Sequence, residues 1–142
     1  MEADDFFRVR CRYSSRVYLH ITMNLRPLEK KAIAEVKAYI DEHYKENLTV
    51  NGLATREWNN GAVRFRARRL HDGFTAVFLQ SVHAYHISIR METAKTLLET
   101  TDLSVKAIAI SVGYKSDSSF GLIFKRHFGI TPTAHRNSWI FK

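Results

Sequence analysis

LSVKAIAISVGYKSDSSFGLIFKRHFGITPTAHR, running from Leu103 to Arg136, is the stretch that decides how this chain is read. Ser104 is placed to cap a helix whose Val105, Ile108, Ala109 and Val112 fall on one face. Gly113 can enter the left-handed backbone region without a Cβ penalty, so it ends that helix and starts a sharp turn. Ser116 and Asp117 both suit the cap of a second helix, with Phe120, Ile123, Phe124 and the His127-Phe128 pair as its apolar face. Gly129 closes that helix. Thr131-Pro132 opens a last one, because proline's fixed φ and missing N–H are compatible with a first helical turn. Two short helices about a glycine turn, the second beginning with small polar residues, have the form of a unit that enters a DNA major groove.

Working outward, the spacing of Val82, Tyr85, Ile89, Ala94, Leu97 and Leu98 predicts a long helix from Ser81 to about Thr100. Before it, Arg56, Arg64, Arg66, Arg68 and Arg69 crowd a short segment, opposed by Glu57 and Asp72. Asn59-Asn60-Gly61 is a strong turn signal, and Leu70, Phe74 and Phe78 predict a helix over about 65–77. Ile33, Val36, Ile40 and Tyr44 predict a charged helix over about 28–46, ended by Asn47. Thr49 then opens a shorter helix carrying Val50, Leu53 and Ala54. Residues 6–23 alternate with period two: Phe7, Val9, Cys11 and Tyr13, then Val17, Leu19, Ile21 and Met23. That pattern predicts a β-hairpin or two edge strands. Two strands do not make a stable sheet alone, so they read as the trailing edge of a larger upstream domain.

Composition narrows the partners. Twenty-two Lys and Arg against fourteen Asp and Glu leave a net charge of +8, which suits a polyanion such as nucleic acid or a membrane surface. No apolar run approaches the roughly 18 residues of a membrane span. The acidic start (Glu2, Asp4, Asp5) lacks the apolar region of a signal peptide. The single cysteine, Cys11, cannot form an internal disulfide and fits a reducing cytoplasm. At 142 residues and 45% apolar, the chain can build one domain or two very small ones.

With these pieces in place, residues 28–136 resemble the DNA-binding domain of the AraC/XylS family of bacterial transcription regulators. The resemblance is most specific at Phe124-Lys125-Arg126-His127-Phe128-Gly129-Ile130-Thr131-Pro132, with Ile108-Ala109 and Val112-Gly113-Tyr114 upstream. Arg90-Met91-Glu92-Thr93-Ala94-Lys95-Thr96-Leu97-Leu98 resembles the family's linker helix. Gly73-Phe74 with Ser81-Val82 and Tyr85 resembles the siderophore-regulator-like branch. The resemblance implies an all-α fold of two helix-turn-helix subdomains joined by a linker helix, here preceded by the short β-like segment. Its divisions would be an extension over 1–27, a first unit over about 48–78, the linker over about 81–100 and a second unit over about 103–136, within a domain of 28–142. It implies double-stranded promoter DNA and RNA polymerase as partners, no cofactor, and a small-molecule effector only where an upstream domain exists.

Carried over position by position, the second unit's base-facing residues fall on Asp117, Ser118, Ser119 and Leu122, with Lys115, Ser116, Lys125 and Arg126 near phosphates. The first unit departs from the family pattern. Between Leu53-Ala54 and Leu70-Phe74 the chain is about six residues longer, and Trp58 with Asn59-Asn60-Gly61 replaces the usual glycine turn. Its reader positions fall near Arg68, His71 and Asp72 (with Ala67 beside them), and Arg66 and Arg69 fall near phosphates. Arg68 is the strongest candidate for guanine, because a guanidinium bonds both O6 and N7. The alternative is a protein-interaction module whose altered first unit no longer reads DNA. His83 and His86 stand three apart on a helix, but no third metal ligand accompanies them. Phe120, Phe124 and Phe128 are spaced as core rather than as a base-stacking stripe. No nucleophile–base pair, P-loop or dinucleotide fingerprint marks an enzyme.

Overall fold

The computed structural model describes residues 15–140, which form eight α-helices: α1 (Ser15–Met23), α2 (Pro27–His43), α3 (Val50–Ala54), α4 (Ala67–Phe78), α5 (Val82–Thr100), α6 (Val105–Ser111), α7 (Asp117–Phe128) and α8 (Pro132–Ile140). Among the described residues there is no strand, only an isolated antiparallel bridge between Trp58 and Val63. No helix among them is long and apolar enough to cross a membrane.

The β-like reading of residues 6–23 is corrected where it can be examined. Residues 6–14 lie outside the described residues, and 15–23 are helical. Two of the alternating residues, Val17 and Ile21, also stand four apart, so the pattern fits a helical spacing as well. A short apolar run fits both periods, and packing of α1 on α4 decides for the helix.

The described chain divides into two compact units, one of residues 15–43 and 48–86, the other of 44–47 and 87–140. In the first, Ile33, Val36 and Ile40 of α2, Leu53 of α3, and Leu70 and Phe74 of α4 form a fully buried core. Gly73 lets α4 come close to its neighbours, for a Cβ there would stand 2.8 Å from Ile33 Cδ1. Thr49 caps α3, its Oγ1 accepting from the Gly52 amide at 3.0 Å.

The longer segment between α3 and α4 is a small hairpin. Trp58 and Val63 exchange both backbone hydrogen bonds, at 2.9 and 3.0 Å. Asn59, Asn60 and Gly61 turn the chain with φ of 53°, 55° and 84°, a conformation that asparagine and glycine tolerate best. Trp58, Val63 and Phe65 are buried in the first unit's core, and Trp58 Nε1 donates to the Leu53 carbonyl at 3.1 Å. The Asn59 amide donates to Glu35 of α2 at 2.6 Å. The extra residues are thus packed into the unit and leave it intact.

In the second unit Met91, Ala94 and Leu98 of α5 pack with Ile108, Ala109, Val112, Phe120 and Phe124. Ser104, Ser116 and Thr131 cap α6, α7 and α8 through side-chain oxygens, accepting at 3.1, 3.2 and 3.2 Å. Gly113 has φ +96°, and a Cβ there would lie 2.4 Å from the Lys45 carbonyl oxygen. Arg90 lies against the same turn, its Nη2 2.8 Å from where that Cβ would stand. Its Nε donates to the Tyr44 carbonyl at 2.6 Å, its Nη2 to those of Lys45 and Glu46 at 3.1 and 2.8 Å, and its guanidinium lies 5.1 Å from the Tyr114 ring centroid.

Candidate nucleic-acid interface

Helix α4 of the first unit and helix α7 of the second have the same length and bury their fourth and eighth residues alike, although Thr75 and Ala76 of α4 are buried where Lys125 and Arg126 of α7 are exposed. Each has twelve residues, with the fourth and eighth fully buried (Leu70 and Phe74, Phe120 and Phe124) and a half-buried phenylalanine at the twelfth (Phe78, Phe128). Each ends on a left-handed residue whose amide donates to the carbonyl four back at 2.8 Å, Leu79 to Thr75 and Gly129 to Lys125. Ser81 and Thr131, two residues after these, cap the helix that follows. Aligned on these shared positions, Arg66 corresponds to Ser116, Arg68 to Ser118, Arg69 to Ser119, His71 to Gly121, and Asp72 to Leu122.

Because positions four and eight face inward, positions two and six of each helix face outward together. On α4 these are Arg68 and Asp72. The Arg68 side chain is 82% exposed, and its Nε lies 3.6 Å from the Asp72 carboxylate, an i,i+4 pair along the outer face. His71 beside them is half-buried. On α7 the pair is Ser118 and Leu122, the latter 70% exposed, and Lys125 continues the same row one turn on. A Cβ at Gly121 would meet nothing within 4 Å, so this face is open. Asp117 and Ser119 are exposed in the first turn, with Asp117 the first helical residue and Ser116 the cap. Ser116 Oγ accepts from the Ser119 amide and donates to Ser119 Oγ at 3.0 Å. Lys115 and Arg126 are exposed at the two ends. Burial pushes the half-buried His127 imidazole down, so it adds no charge near neutral pH.

Arg69 differs from its neighbours. Its Nε and Nη2 donate to Glu29 at 3.2 and 2.9 Å, and Nη2 also donates to the Asn24 carbonyl at 3.1 Å. Glu29, whose side chain is 7% exposed, also accepts from the Arg26 amide at 2.9 Å, the reach-back of an N3 glutamate to the start of its own helix. The Arg69 hydrogen bonds outweigh burial and lower the Glu29 carboxyl to about 2. Arg69 thereby braces α4 against the start of α2, so its guanidinium is already engaged. Arg66 is exposed at the cap position of α4 and makes no side-chain capping bond. The sequence offered no signal for the Glu29–Arg69 pair, since forty residues separate the partners.

A helix-turn-helix domain profile matches residues 61–138, more than half of the chain. The chain is also 30% identical to the regulatory protein SoxS of Escherichia coli K12 over 76% of its own length and 95% of that protein's. The chain belongs to the AraC/XylS family of helix-turn-helix transcription regulators. AraC/XylS proteins are regulators and not enzymes. Among solved structures, the DNA-binding domain of the global transcriptional factor AdpA, in complex with a target DNA, is similar with a TM-score of 0.67 and 29% identity, covering 77% of this chain and 93% of that one. The melibiose operon regulatory protein of E. coli K12 is 27% identical over 73% of the chain, but the chain spans only 32% of that relative's length. The AraC/XylS DNA-binding fold carries two helix-turn-helix units.

Proposed function

We propose that this chain regulates transcription by laying α4 and α7 in two successive major-groove faces of promoter DNA, roughly 34 Å or one helical turn apart. The observation that carries this reading is the correspondence of α4 and α7 in length and in their buried fourth and eighth residues, which gives one polypeptide two reading faces with different side chains. A direct, non-palindromic site is then read without dimerisation. Arg68, His71 and Asp72 on α4, and Asp117, Ser118, Ser119 and Leu122 on α7, face the bases. Arg68 takes guanine O6 and N7, Asp72 steadies its guanidinium, and Leu122 offers apolar contact to a thymine methyl. Arg66, Lys115, Ser116, Lys125 and Arg126 hold phosphates and supply most of the affinity, while Arg69 serves as the brace of α4.

In this proposal residues 28–142 are the DNA-binding domain and 1–27 an extension of it. The protein works in the cytoplasm, and its readout passes to RNA polymerase bound beside it. Gly73-Phe74, Ser81-Val82 and Tyr85 favour the siderophore-regulator-like branch. The test is fluorescence anisotropy with a selected duplex and its single-base variants. Arg68→Ala should cost about 1–3 kcal/mol on the best duplex and relax preference at one base pair, whereas Lys125→Ala should weaken all duplexes alike. Unchanged preference in Arg68→Ala would contradict the assignment of α4 as a reader.

A further inference from the structure

We infer that the hairpin between α3 and α4 is a second phosphate-contacting element, holding the DNA backbone beside the groove that α4 enters, with Arg64 as its anchor and Glu57 as the residue that restrains it. This rests on the proposed DNA binding. It adds a contact outside the two reading helices, for Arg64 lies three residues ahead of α4 and Glu57 stands before residue 61, where the helix-turn-helix match begins.

Along 63–66 the side chains alternate. Val63 and Phe65 are buried in the core and Arg64 and Arg66 are exposed, so the two arginines are turned out together. Packing of Trp58 against the same core fixes the hairpin, so these two guanidinium groups are presented by a rigid element. Arg66 runs directly into α4, and the exposed Arg68 follows in its first turn. From Arg64 to the first residue of α4 is three extended residues, about 10 Å. The major groove is about 12 Å wide, so an arginine at that distance from a groove-bound helix reaches the flanking strand.

The charge on this element is not all available. Arg64 is ion-paired with Glu57, their side chains being 72% and 52% exposed. Arg56 lies over the Tyr39 ring, 4.4 Å from its centroid. An exposed pair is only weakly held, so a phosphate displaces Glu57, and the carboxylate then sits near the backbone as a penalty on binding. Removing either partner should therefore move affinity in opposite directions, which a purely structural ion pair would not do.

The experiment compares Arg64→Ala, Arg64→Lys and Glu57→Gln with the parent chain, in anisotropy titrations on a duplex of fixed sequence from 50 to 300 mM salt. Melting temperatures are recorded in parallel. One phosphate contact contributes about 0.9 to the slope of log affinity against log salt, which is about fivefold at 0.15 M. Arg64→Ala should weaken binding about fivefold on specific and unrelated duplexes alike and lower the slope by about 0.9, and Arg64→Lys should recover most of both. Glu57→Gln should tighten binding, most at low salt. Parent-like affinity and slope in both Arg64→Ala and Glu57→Gln, with Arg68→Ala still impaired, would overturn the hairpin contact alone. A parent chain that binds no duplex at any salt would overturn it together with the proposed function.

Discussion

The brace between Glu29 and Arg69 has a stability consequence that can be worked out in sign and size. Lowering a carboxyl from 4.5 to about 2 on folding corresponds to about 3.4 kcal/mol, taking 1.36 kcal/mol for each tenfold in acidity. Arg69 keeps 38% of its side chain exposed, so solvent screening reduces the figure to about 1–2 kcal/mol. The folded carboxyl is the more acidic one. The contribution is therefore complete above pH 4.5 and is lost as pH falls from there toward 2, with about 60% gone by pH 3. Glu29→Gln is the informative change, because the amide oxygen still accepts from the Arg26 amide while the charge disappears. At pH 7 it should lower the melting temperature by roughly 4–16 °C, at about 4–8 °C per kcal/mol for a unit of this size. Thermal melts followed by circular dichroism at pH 7, 4 and 3 should show parent and variant converging as the pH drops. A gap that stays constant with pH, or no gap at pH 7, would refute the reasoning. Combining Glu29→Gln with Arg69→Ala should give less than the sum of the two effects.

Two further substitutions bear on other parts of the structure. Gly113→Ala combines a left-handed backbone with a Cβ 2.4 Å from a carbonyl oxygen, and should destabilise by about 2–4 kcal/mol, read as a loss of melting temperature. Leu122→Ala, at a side chain 70% exposed, should leave folding stability within about 0.5 kcal/mol of parent while weakening preference for thymine at one position in duplex competition.

The parts of the fold that sequence made legible are those carried by local chemistry. Ser104, Gly113, Ser116, Gly129 and Thr131-Pro132 punctuate the second unit as expected, because capping and positive φ are decided within four residues. Residues 15–23 were not legible, since a short apolar run fits two periods and only packing against α4 selects one. The hairpin's turn was visible as Asn59-Asn60-Gly61 beside Trp58, but the pairing of Trp58 with Val63 was not. That this insertion would be built into the core depended on where Trp58 and Phe65 go, which is a tertiary matter. The same holds for Arg69. On a helical wheel it stands next to Arg68 as one more cation near a groove, and only the fold brings Glu29 to it. Arg90 likewise reads in sequence as one residue of a linker helix, and in the structure it gathers three carbonyl groups of residues 44–46.

Whether two units of one chain read DNA together is decided by selection of bound duplexes from a random pool at physiological salt. The selected duplexes should share a bipartite motif whose two halves are centred about one helical turn apart, one half changing with substitution at Arg68 and the other with substitution at Leu122. A single short motif indifferent to Arg68, or no enrichment at all, would contradict it.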